Sequence, residues 1–469
     1  MAMTNRLVKD GKSKSDILIG NGTVVTLGTQ NQLVEQGAVL VRDGRIAAID
    51  SDATLHQQHP DAEYVDANDG LIMPGFLCTH THFYGAFARG MAIPGDPPRN
   101  FPEILESLWW RLDKLLTLDD TRASAEMFMV DAIRNGTTCM VDHHASPNAV
   151  DGSLDVIAEV IEQAGIRACL AYEVSDRDGL TVVADGIREN ERFIRSLHSK
   201  RRQPAEAGMV AASYGLHASF TLNSATLERC AAGGADLGVG FHIHVAEDIS
   251  DEKDSTTRYG MRVVDRLEAD HILGPRSIAA HCVHVRSDEI SRLAQTHTNS
   301  VHNPRSNMNN AVGRAPVEEM VRAGVNVGLG NDGFSMNMMQ EMKTAYLLHK
   351  LALEDPRAMP ADLVLNLAFQ HNARIVDAVF SPFCNDFPRV GELSVGSAAD
   401  LILLDYLPPT PLSSGNFPWH LIFGMDGHQV NSTMVAGRWL MRNRQLLTVD
   451  EARIHARARE LSRALWKRM

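Results

Sequence analysis

The amino-acid sequence predicts an α/β fold, with a (β/α)8 barrel of the TIM type and a small β-sandwich domain that both chain termini form together. From Gly70 onward, short apolar segments alternate with stretches of helix length, which is the pattern of βα units around a parallel sheet. Eight apolar segments of this kind occur, and eight parallel strands can close a barrel. The two ends of the chain instead contain short β-rich pieces separated by Gly and Asn, which is typical of antiparallel strands.

The predicted barrel occupies residues 69–384, between two parts of the β domain at 1–68 and 385–469. The C-terminal part ends in a helix over 450–467, for which Asp450 is the expected N-cap. We expect the C-terminal strands to complete the N-terminal sheet. The predicted strands of this domain are Asp16–Gly20, Thr23–Leu27, Ala38–Val41, Arg45–Ile49, Gly391–Tyr406 and Gln429–Leu447.

The predicted barrel strands are near-continuous apolar runs, as expected for parallel strands that are covered on both faces. Helix-length segments separate most of them, and Asn135-Gly136 marks the end of the helix before the second strand. In chain order the predicted strands are Gly75–His82, Thr137–His143, Arg167–Val174, Met209–His217, Gly240–Val245, Ser277–Val283, Asn299–His302 and Asn326–Asn331.

Composition and charge argue against several classes of protein. The chain has 469 residues, of which 44% are hydrophobic and 22% are charged, as in an ordinary globular protein. Its net charge of −13 argues against a nucleic-acid partner, because binding to phosphates depends on Lys and Arg. No apolar stretch approaches the length of a signal-peptide core or a membrane span, so no membrane partner is expected. The six cysteines form no Cys-x-x-Cys pair, which predicts free thiols and a cytoplasmic location.

Histidines cluster at the carboxyl ends of the predicted strands, which is where barrel enzymes place their chemistry. Six of the eight strands end in His, and the eighth ends in the carboxylate Asp332. A single buried His is usually a hydrogen-bonded core residue. Because every buried imidazole needs its own partner, packing alone is a poor explanation for the whole set. The roles of His143, His144 and His284 stay open at this point.

Four of these residues predict a metal site. His80 and His82 are two residues apart on one strand, so their imidazoles point to the same side. At the fifth strand, the alternation of side chains leaves both His242 and His244 open, and we favour His244 because it lies nearer the rim. With Asp332, these residues offer three nitrogen ligands and one oxygen ligand, a set that suits zinc or iron.

The strand ends also offer groups that could carry protons. Met209–His217 contains no Lys that could bridge a second ion after carboxylation, so we expect one divalent metal per chain, Zn2+ in preference to Fe2+. Asp332 could accept a proton from water, and Glu247 could pass one to the substrate. His281 could stabilise developing charge, and His217 could contact the substrate. The alternatives are a solvated acid at a helix start for Glu247 and core histidines for the other two.

The first βα connection is long, and we expect Phe83–Leu116 to cover the pocket as a lid. It carries the aromatic pair Trp109 and Trp110, one of which is predicted to approach the substrate. The alternative is that both indoles anchor the lid, since Trp is usually well buried.

Five motifs together resemble the amidohydrolase superfamily, within it the branch of aminohydrolases and chlorohydrolases that act on N-heterocycles. They are PGFLCTHTHF, HIHVAED, AAHCVH, HNPRSN and GLGNDG, and the C-terminal segment GELSVGSAADLILLD also looks like the family's. The resemblance covers nearly the whole chain. Stretches such as ARGMAIPG, VDHHASP and FPWHLIFG are similar to the SsnA subgroup of aminohydrolases.

The resemblance implies the metal ligands His80, His82, His244 and Asp332, and thereby chooses His244 over His242. It also implies that Glu247 is the proton shuttle, His281 the catalytic histidine and His217 a substrate contact. Two departures are visible. Asn331 stands where relatives usually carry Thr. The segment after the third strand matches too loosely to transfer a substrate arginine, which leaves Arg177 as a candidate only.

The predicted activity is hydrolytic deamination of an amino-substituted N-heterocycle, purine- or triazine-like, by a metal-activated water. This makes the chain a hydrolase of carbon–nitrogen bonds other than peptide bonds. Hydrolysis of a cyclic amide or release of chloride would use the same residues, so both alternatives stay open. A catalytically inactive metal-binding scaffold is disfavoured, because it would not need a non-ligand acid such as Glu247 beside the metal. The expected partner is a small heterocyclic substrate, and the resemblance implies a homodimer or higher homo-oligomer.

Overall fold

The structure is a computed structural model that describes residues 16–28, 31–93, 95–200 and 208–469. The segment 1–15, on which part of the predicted domain 1–68 falls, therefore lies outside the described residues, as does the start of the chain considered for a signal peptide. None of the described helices combines the length and the apolar character that crossing a membrane requires.

The described residues form eighteen strands. They are β1 (Ile17–Val25), β2 (Leu33–Arg42), β3 (Arg45–Ser51), β4 (Glu63–Asp66), β5 (Leu71–Pro74), β6 (Phe76–Thr81), β7 (Thr137–Asp142), β8 (Arg167–Leu170), β9 (Val210–Ala212), β10 (Tyr214–Ala218), β11 (Phe241–Val245), β12 (Ile278–His281), β13 (Asn299–His302), β14 (Val327–Leu329), β15 (Leu401–Leu404), β16 (Val430–Val435), β17 (Arg438–Arg442) and β18 (Gln445–Leu446).

Most of the helices in the described residues follow a barrel strand. They are α1 (Asp52–Gln58), α2 (Phe101–Ile104), α3 (Trp110–Leu115), α4 (Leu118–Arg134), α5 (Ser153–Ala164), α6 (Leu180–Lys200), α7 (Ser224–Leu237), α8 (Ile249–Tyr259), α9 (Val263–Ala269), α10 (Ser287–Gln295), α11 (Pro304–Asn309), α12 (Val317–Arg322), α13 (Met338–Leu353), α14 (Ala361–Asn366), α15 (Asn372–Phe380), α16 (Phe417–Gly424) and α17 (Glu451–Trp466).

Strands β6 to β14 form the barrel. β6 to β9 make one parallel sheet and β10 to β14 a second one. β9 and β10 are two pieces of one strand that is interrupted at Ser213. Parallel bridges between Val174 and Leu216 and between Thr81 and Asp332 join the two sheets at both edges. The eight predicted strands therefore lie where the sequence placed them, and the predicted barrel is confirmed.

Strands from both ends of the chain pair in a single sheet of nine strands. Its order is β18-β17-β16-β15-β5-β1-β2-β3, with β4 beside β1. The two predicted pieces at 16–20 and 23–27 are one continuous strand, since the backbone passes through Asn21 at a φ of 51° and the pairing with β2 shifts around Gly22. β5 belongs to this sheet although it follows residue 68, and the domain limits stay a prediction. That the sheet folds over into a sandwich also stays a prediction.

Local sequence signals explain where the helices begin and end. α4 starts at a reciprocal cap, in which the Thr117 hydroxyl accepts from the Asp120 N–H and the Asp120 carboxylate accepts from the Thr117 N–H. It ends before Gly136, whose φ of 74° lies in the left-handed region. A side chain there would also meet Ile402 of the terminal sheet at 2.9 Å. The predicted Asp450 cap of α17 is present, accepting from the Arg453 N–H at 3.0 Å.

A buried ion pair fixes the terminal sheet against the barrel. Arg167 begins β8, and its guanidinium donates to both oxygens of Asp400, at 2.7 and 3.2 Å. Both side chains are almost fully buried, so the fork of two hydrogen bonds compensates for the loss of water around each charge. The pair lies at the amino ends of the barrel strands and leaves the carboxyl ends free for the site.

Candidate active site

The four predicted metal ligands converge at the carboxyl ends of β6, β11 and β14. The Nε2 atoms of His82 and His244 lie 3.2 Å apart. Asp332 Oδ1 lies 3.1 Å from His82 Nε2 and 3.7 Å from His80 Nε2. Three imidazoles and one carboxylate thus lie close together, with His80, His82 and His244 in one group of possible ligands and His80 and Asp332 in another.

The orientation of the rings shows that this donor set fits a divalent metal such as zinc. His80 Nε2 is buried and has no hydrogen-bond partner among the described residues. The opposite nitrogen of each ring is fixed by a neighbour, which turns Nε2 toward the convergence point, as is usual for metal-binding histidines. These contacts are His80 Nδ1 to His242 Nε2 at 2.8 Å, His82 Nδ1 to the His143 carbonyl at 2.6 Å, and His244 Nδ1 to the His217 carbonyl at 2.8 Å.

His242 and His143 lie behind the predicted ligands. The two rings stack with centroids 4.2 Å apart and an interplanar angle of 10°. His143 also joins His80, His82 and His244 in a group whose ligand atoms all lie within 4.8 Å of one another. Its role was left open by the sequence, and the structure places it against the donor set.

The backbone at these strand ends is strained. Ala246, His281, Cys282 and Asp332 have φ values of 47°, 72°, 49° and 56°, in the left-handed region that non-Gly residues rarely adopt. All four follow or end a barrel strand. The strained turns aim His281 and Asp332 toward the barrel axis, where a regular strand end would continue past the site.

Burial and mutual contacts divide the site into charged and neutral groups. Burial lowers the pKa of His80, which keeps the ring neutral, so that one of its two nitrogens carries no proton. Burial also disfavours charge on Asp332, but the neighbouring His80 and His82 rings, whose Nε2 atoms lie 3.7 and 3.1 Å from its Oδ1, outweigh it and hold the pKa of Asp332 well below its usual range. An ionised carboxylate beside an unprotonated imidazole is the arrangement that metal binding requires.

Glu247 lies beside the donor set and not within it. The nearer of its oxygens is 3.6 Å from His281 Nε2, and Asn310 hydrogen-bonds its carboxyl group. Burial is the main cause that raises the pKa of Glu247 to about 8. His281 Nδ1 contacts Asn307 Oδ1 at 2.8 Å, so the ring donates from Nδ1 and leaves Nε2 bare toward Glu247.

A cavity lined by aromatic residues opens above these groups, and the predicted substrate contacts His217, Trp109 and Arg177 all line it. The lid segment contributes one wall through Phe101, Leu105, Trp109 and Trp110. The Arg177 guanidinium pairs with Asp113 of α3 and with Asp178, and it lies over the Trp110 ring at 5.4 Å. The arginine therefore links the lid to the loop after β8.

Four residues at the site were missed by the sequence reasoning. Glu173 lines the cavity, with one oxygen 3.1 Å from His82 Nδ1. It lies within the predicted third strand, Arg167–Val174, which does not end in His or Asp, so the break in that pattern is the available signal. Ser306, Asn307 and Asn310 lie in the HNPRSNMNN segment, where Ser306 donates to Asp332 Oδ2. The spacing of these three residues in the sequence does not indicate that each of them contacts a different strand end.

His144 and His284 lie apart from the donor set. His144 Nε2 contacts the Ser146 hydroxyl at 2.9 Å, and burial lowers its pKa to about 3. His284 Nε2 donates to the Val312 carbonyl at 2.9 Å. Both are hydrogen-bonded structural histidines.

Comparison with known proteins identifies the family. The model of the amidohydrolase family matches residues 71–440, and a bacterial imidazolonepropionase-like composite domain matches residues 37–62. The chain is 31% identical over 459 residues to 5'-deoxyadenosine deaminase of Methanosarcina mazei, covering 97% of this chain and 99% of the relative. It is 32% identical over 437 residues to 5-methylthioadenosine/S-adenosylhomocysteine deaminase of Desulforudis audaxviator, covering 92% and 95%.

A solved structure agrees with these sequence matches. An adenosine deaminase from Xanthomonas campestris with bound zinc superposes with a TM-score of 0.84 and 27% identity, over 97% of this chain and 99% of that one. Because the family match spans most of the chain and the relatives match it nearly end to end, the chain belongs to the amidohydrolase family.

Proposed function

We propose that this chain is a metal-dependent aminohydrolase that deaminates an amino-substituted N-heterocycle. The observation that carries the proposal is the separation of roles at the site. Three imidazoles and one carboxylate lie close together, while Glu247, which lines the cavity, stands beside them 3.6 Å from the buried Nε2 of His281. The names of the curated relatives support deamination over cyclic-amide hydrolysis and dechlorination.

His80, His82, His244 and Asp332 would hold one divalent ion, for which zinc is the expected choice. A bound divalent ion lowers the pKa of water, so that a nucleophile is available near neutral pH. Ser306 holds the second oxygen of Asp332, which leaves the first oxygen directed at the imidazoles. The chain thereby presents the ligands with their orientations already fixed.

Glu247 and His281 would move the protons of the reaction. Water adds its oxygen to the ring carbon that bears the amino group, and the adjacent ring nitrogen gains a proton. The carbon–nitrogen bond to the amino group then breaks, and ammonia leaves with the remaining proton. Glu247, whose pKa is raised to about 8, can give a proton to the ring nitrogen or the amine. His281 presents its bare Nε2 as an acceptor, since Asn307 fixes its other nitrogen as the donor.

The lid and the cavity walls would bind the ring. Trp109 and Trp110 lie at the cavity, and a planar heterocycle is the kind of ligand that aromatic walls accept. Arg177 serves as the link between lid and barrel, with Asp113 buried beneath it. His217 faces the cavity with its Nε2.

We also propose how the terminal sheet folds, which compartment the protein occupies and that it forms an oligomer. We expect the terminal sheet to fold as a β-sandwich, because Ile19, Val39 and Leu401 from both ends of the chain pack in one buried cluster. The cysteines within the described residues are all unpaired, which supports a reducing compartment such as the cytoplasm. A homo-oligomer is expected from the family resemblance.

Ammonia release tests the proposal directly. The protein is loaded with one equivalent of zinc and incubated with a panel of purines, pterins and triazines that bear amino groups. Stoichiometric ammonia and the corresponding keto heterocycle are expected from at least one member. Ring-opened product or chloride without ammonia would contradict deamination, and the H244A variant is the control for metal-independent release.

A further inference from the structure

The cavity contains two hydrogen-bond acceptors that face each other. Glu173 Oε2 lies 3.9 Å from His217 Nε2, which is too long for a direct hydrogen bond. Both residues line the cavity. Glu173 is 5% exposed, and its other oxygen is buried with no hydrogen-bond partner among the described residues.

The protonation of His217 follows from the contacts of its ring. His217 Nδ1 lies 2.8 Å from the Thr221 hydroxyl oxygen. That hydroxyl donates its own hydrogen to the Ala218 carbonyl at 3.0 Å, so it can only accept from the imidazole. The proton of the neutral ring is therefore on Nδ1, and Nε2 is an acceptor toward Glu173.

Among the described residues, no cation forms an ion pair that bridges Glu173 Oε2 and His217 Nε2. Arg177 belongs to the same loop as Glu173, but its ion pairs within the described residues are to Asp113 and Asp178. His82 Nδ1 lies 3.1 Å from Glu173 Oε1, yet its closer acceptor is the His143 carbonyl at 2.6 Å. One carboxylate oxygen and one imidazole nitrogen thus remain directed at the cavity, each able to accept a hydrogen bond.

We propose that Glu173 and His217 bind an N–H donor edge of the substrate, so that the site selects heterocycles carrying a second amino group in addition to the reacting amidine. The proposal rests on the proposed function and narrows its substrate class to diamino- and guanidine-type rings. Aromatic side chains flank the pair, with the Trp110 and Phe220 rings 6.3 and 5.9 Å from the His217 ring. A flat ring that packs against these aromatic side chains can turn its edge to both acceptors.

Binding is measured by calorimetry on the zinc-loaded protein with two matched pairs of probes. Adenine and 2,6-diaminopurine differ by one amino group, and so do 4-aminopyrimidine and 2,4-diaminopyrimidine. A hydrogen bond to a charged acceptor corresponds to about 10- to 100-fold in affinity. We expect the diamino member of at least one pair to bind more tightly by this factor. Equal binding within both pairs would overturn the proposal.

The E173Q variant assigns the preference to Glu173. The amide N–H of the new Gln side chain can donate to His217 Nε2 in place of the probe. The diamino probe should therefore no longer bind more tightly than its partner, while the zinc content stays at one equivalent. E189Q is the matched control, because Glu189 is buried on α6 outside the cavity, and it should keep the wild-type preference. A preference that survives in E173Q would contradict the proposed contact.

A second variant decides the question if E173Q loses its zinc. T221V removes the acceptor of the His217 Nδ1 proton without touching Glu173 or His82, so the imidazole can carry its proton on Nε2 instead. The preference for the diamino probe should then fall, and an unchanged preference would count against the acceptor pair. Ammonia release is measured separately. Selective binding of the diamino probes without ammonia release would refute the proposed deamination alone. Ammonia release without selective binding would refute the proposed contact of Glu173 and His217 alone.

Discussion

Replacing Glu247 with Gln tests the central division of labour at the site, between groups that hold the metal and a group that carries a proton. The variant keeps the shape of the side chain and its contact with Asn310 but removes the proton that can be exchanged. The nearer Glu247 oxygen lies 3.6 Å from His281 Nε2, beside the four converging ligands. We therefore expect E247Q to bind one equivalent of zinc, as the wild type does.

The expected loss of rate follows from the role of a positioned acid. General acid–base catalysis contributes about 10²- to 10⁴-fold, which corresponds to roughly 3–5 kcal/mol of barrier. Burial raises the pKa of Glu247 to about 8, so the carboxyl group holds its proton at pH 7 and loses it as the pH rises through 8. The wild-type kcat should therefore decline above that pH, and the residual rate of E247Q should lack this alkaline limb.

The assay combines steady-state ammonia release between pH 6 and 10 with metal analysis of the same samples. E252Q is the control, because Glu252 is also buried but lies on α8 and pairs with Arg262. An E247Q protein that arrives free of metal would identify Glu247 as a ligand. One that keeps both its metal and its full rate would refute the role as proton carrier and leave Asp332 and His281 as the remaining candidates.

Three further predictions concern the ligands, the positioning of His281 and the pH dependence of stability. H244A should lose most of its zinc and nearly all activity, because one of the four predicted ligands is removed. H284A is the control: its ring donates to the Val312 carbonyl, so metal analysis should show that this variant keeps its zinc. N307A should keep its zinc but lose about 10-fold in kcat, because Asn307 no longer fixes the proton of His281 on Nδ1. If the longer amide of N307Q restored the rate, the length of the Asn307 side chain would not be required. Burial raises the pKa of Asp251 from 3.8 to about 7, so its contribution to stability is fully present at low pH and is lost as the pH rises through 7. The thermal midpoint should therefore fall as the pH rises from about 4 to 7 and level off above pH 7, and a D251N variant with the same slope would refute this cause.

The barrel could be predicted because its strands are buried on both faces. β6, β7 and β11 are buried at every position, and continuous apolar runs of this kind stand out from the helical segments between them. The terminal sheet was harder to delimit. β1 passes through Gly20 and Gly22 as one strand, and such residues normally indicate a turn.

The metal ligands could be predicted because two are related by strand alternation and all lie at strand ends. Sequence spacing could not distinguish His242 from His244, since both occupy one face of β11. In the structure, His242 contacts His80 from behind at 2.8 Å, while His244 approaches His82 from the cavity side. Distances across the barrel make this distinction, and they involve residues more than 150 positions apart in the chain.

The residues that were missed act across the barrel. The short helix α11 and the residue after it contact groups from three different strands, through Ser306 to Asp332, Asn307 to His281 and Asn310 to Glu247. In the sequence, this segment is a run of polar residues that favours a loop. Its function depends on where β13 ends relative to β12 and β14, and that relation is a property of the closed barrel.

Two carboxyl groups of the site end up with opposite protonation preferences, and α11 connects them. Asn310 Nδ2 donates to the Ser306 hydroxyl oxygen at 3.3 Å, Ser306 donates to Asp332 Oδ2, and Asn310 also lies beside the Glu247 carboxyl group. The imidazoles lower the pKa of Asp332, while burial, with the negative charge of Asp332 as a further contribution, raises that of Glu247. Titratable groups whose environments push their pKa values apart divide the acid and base roles between them. The ionised Asp332 is therefore suited to bind metal, and the protonated Glu247 beside it is suited to donate.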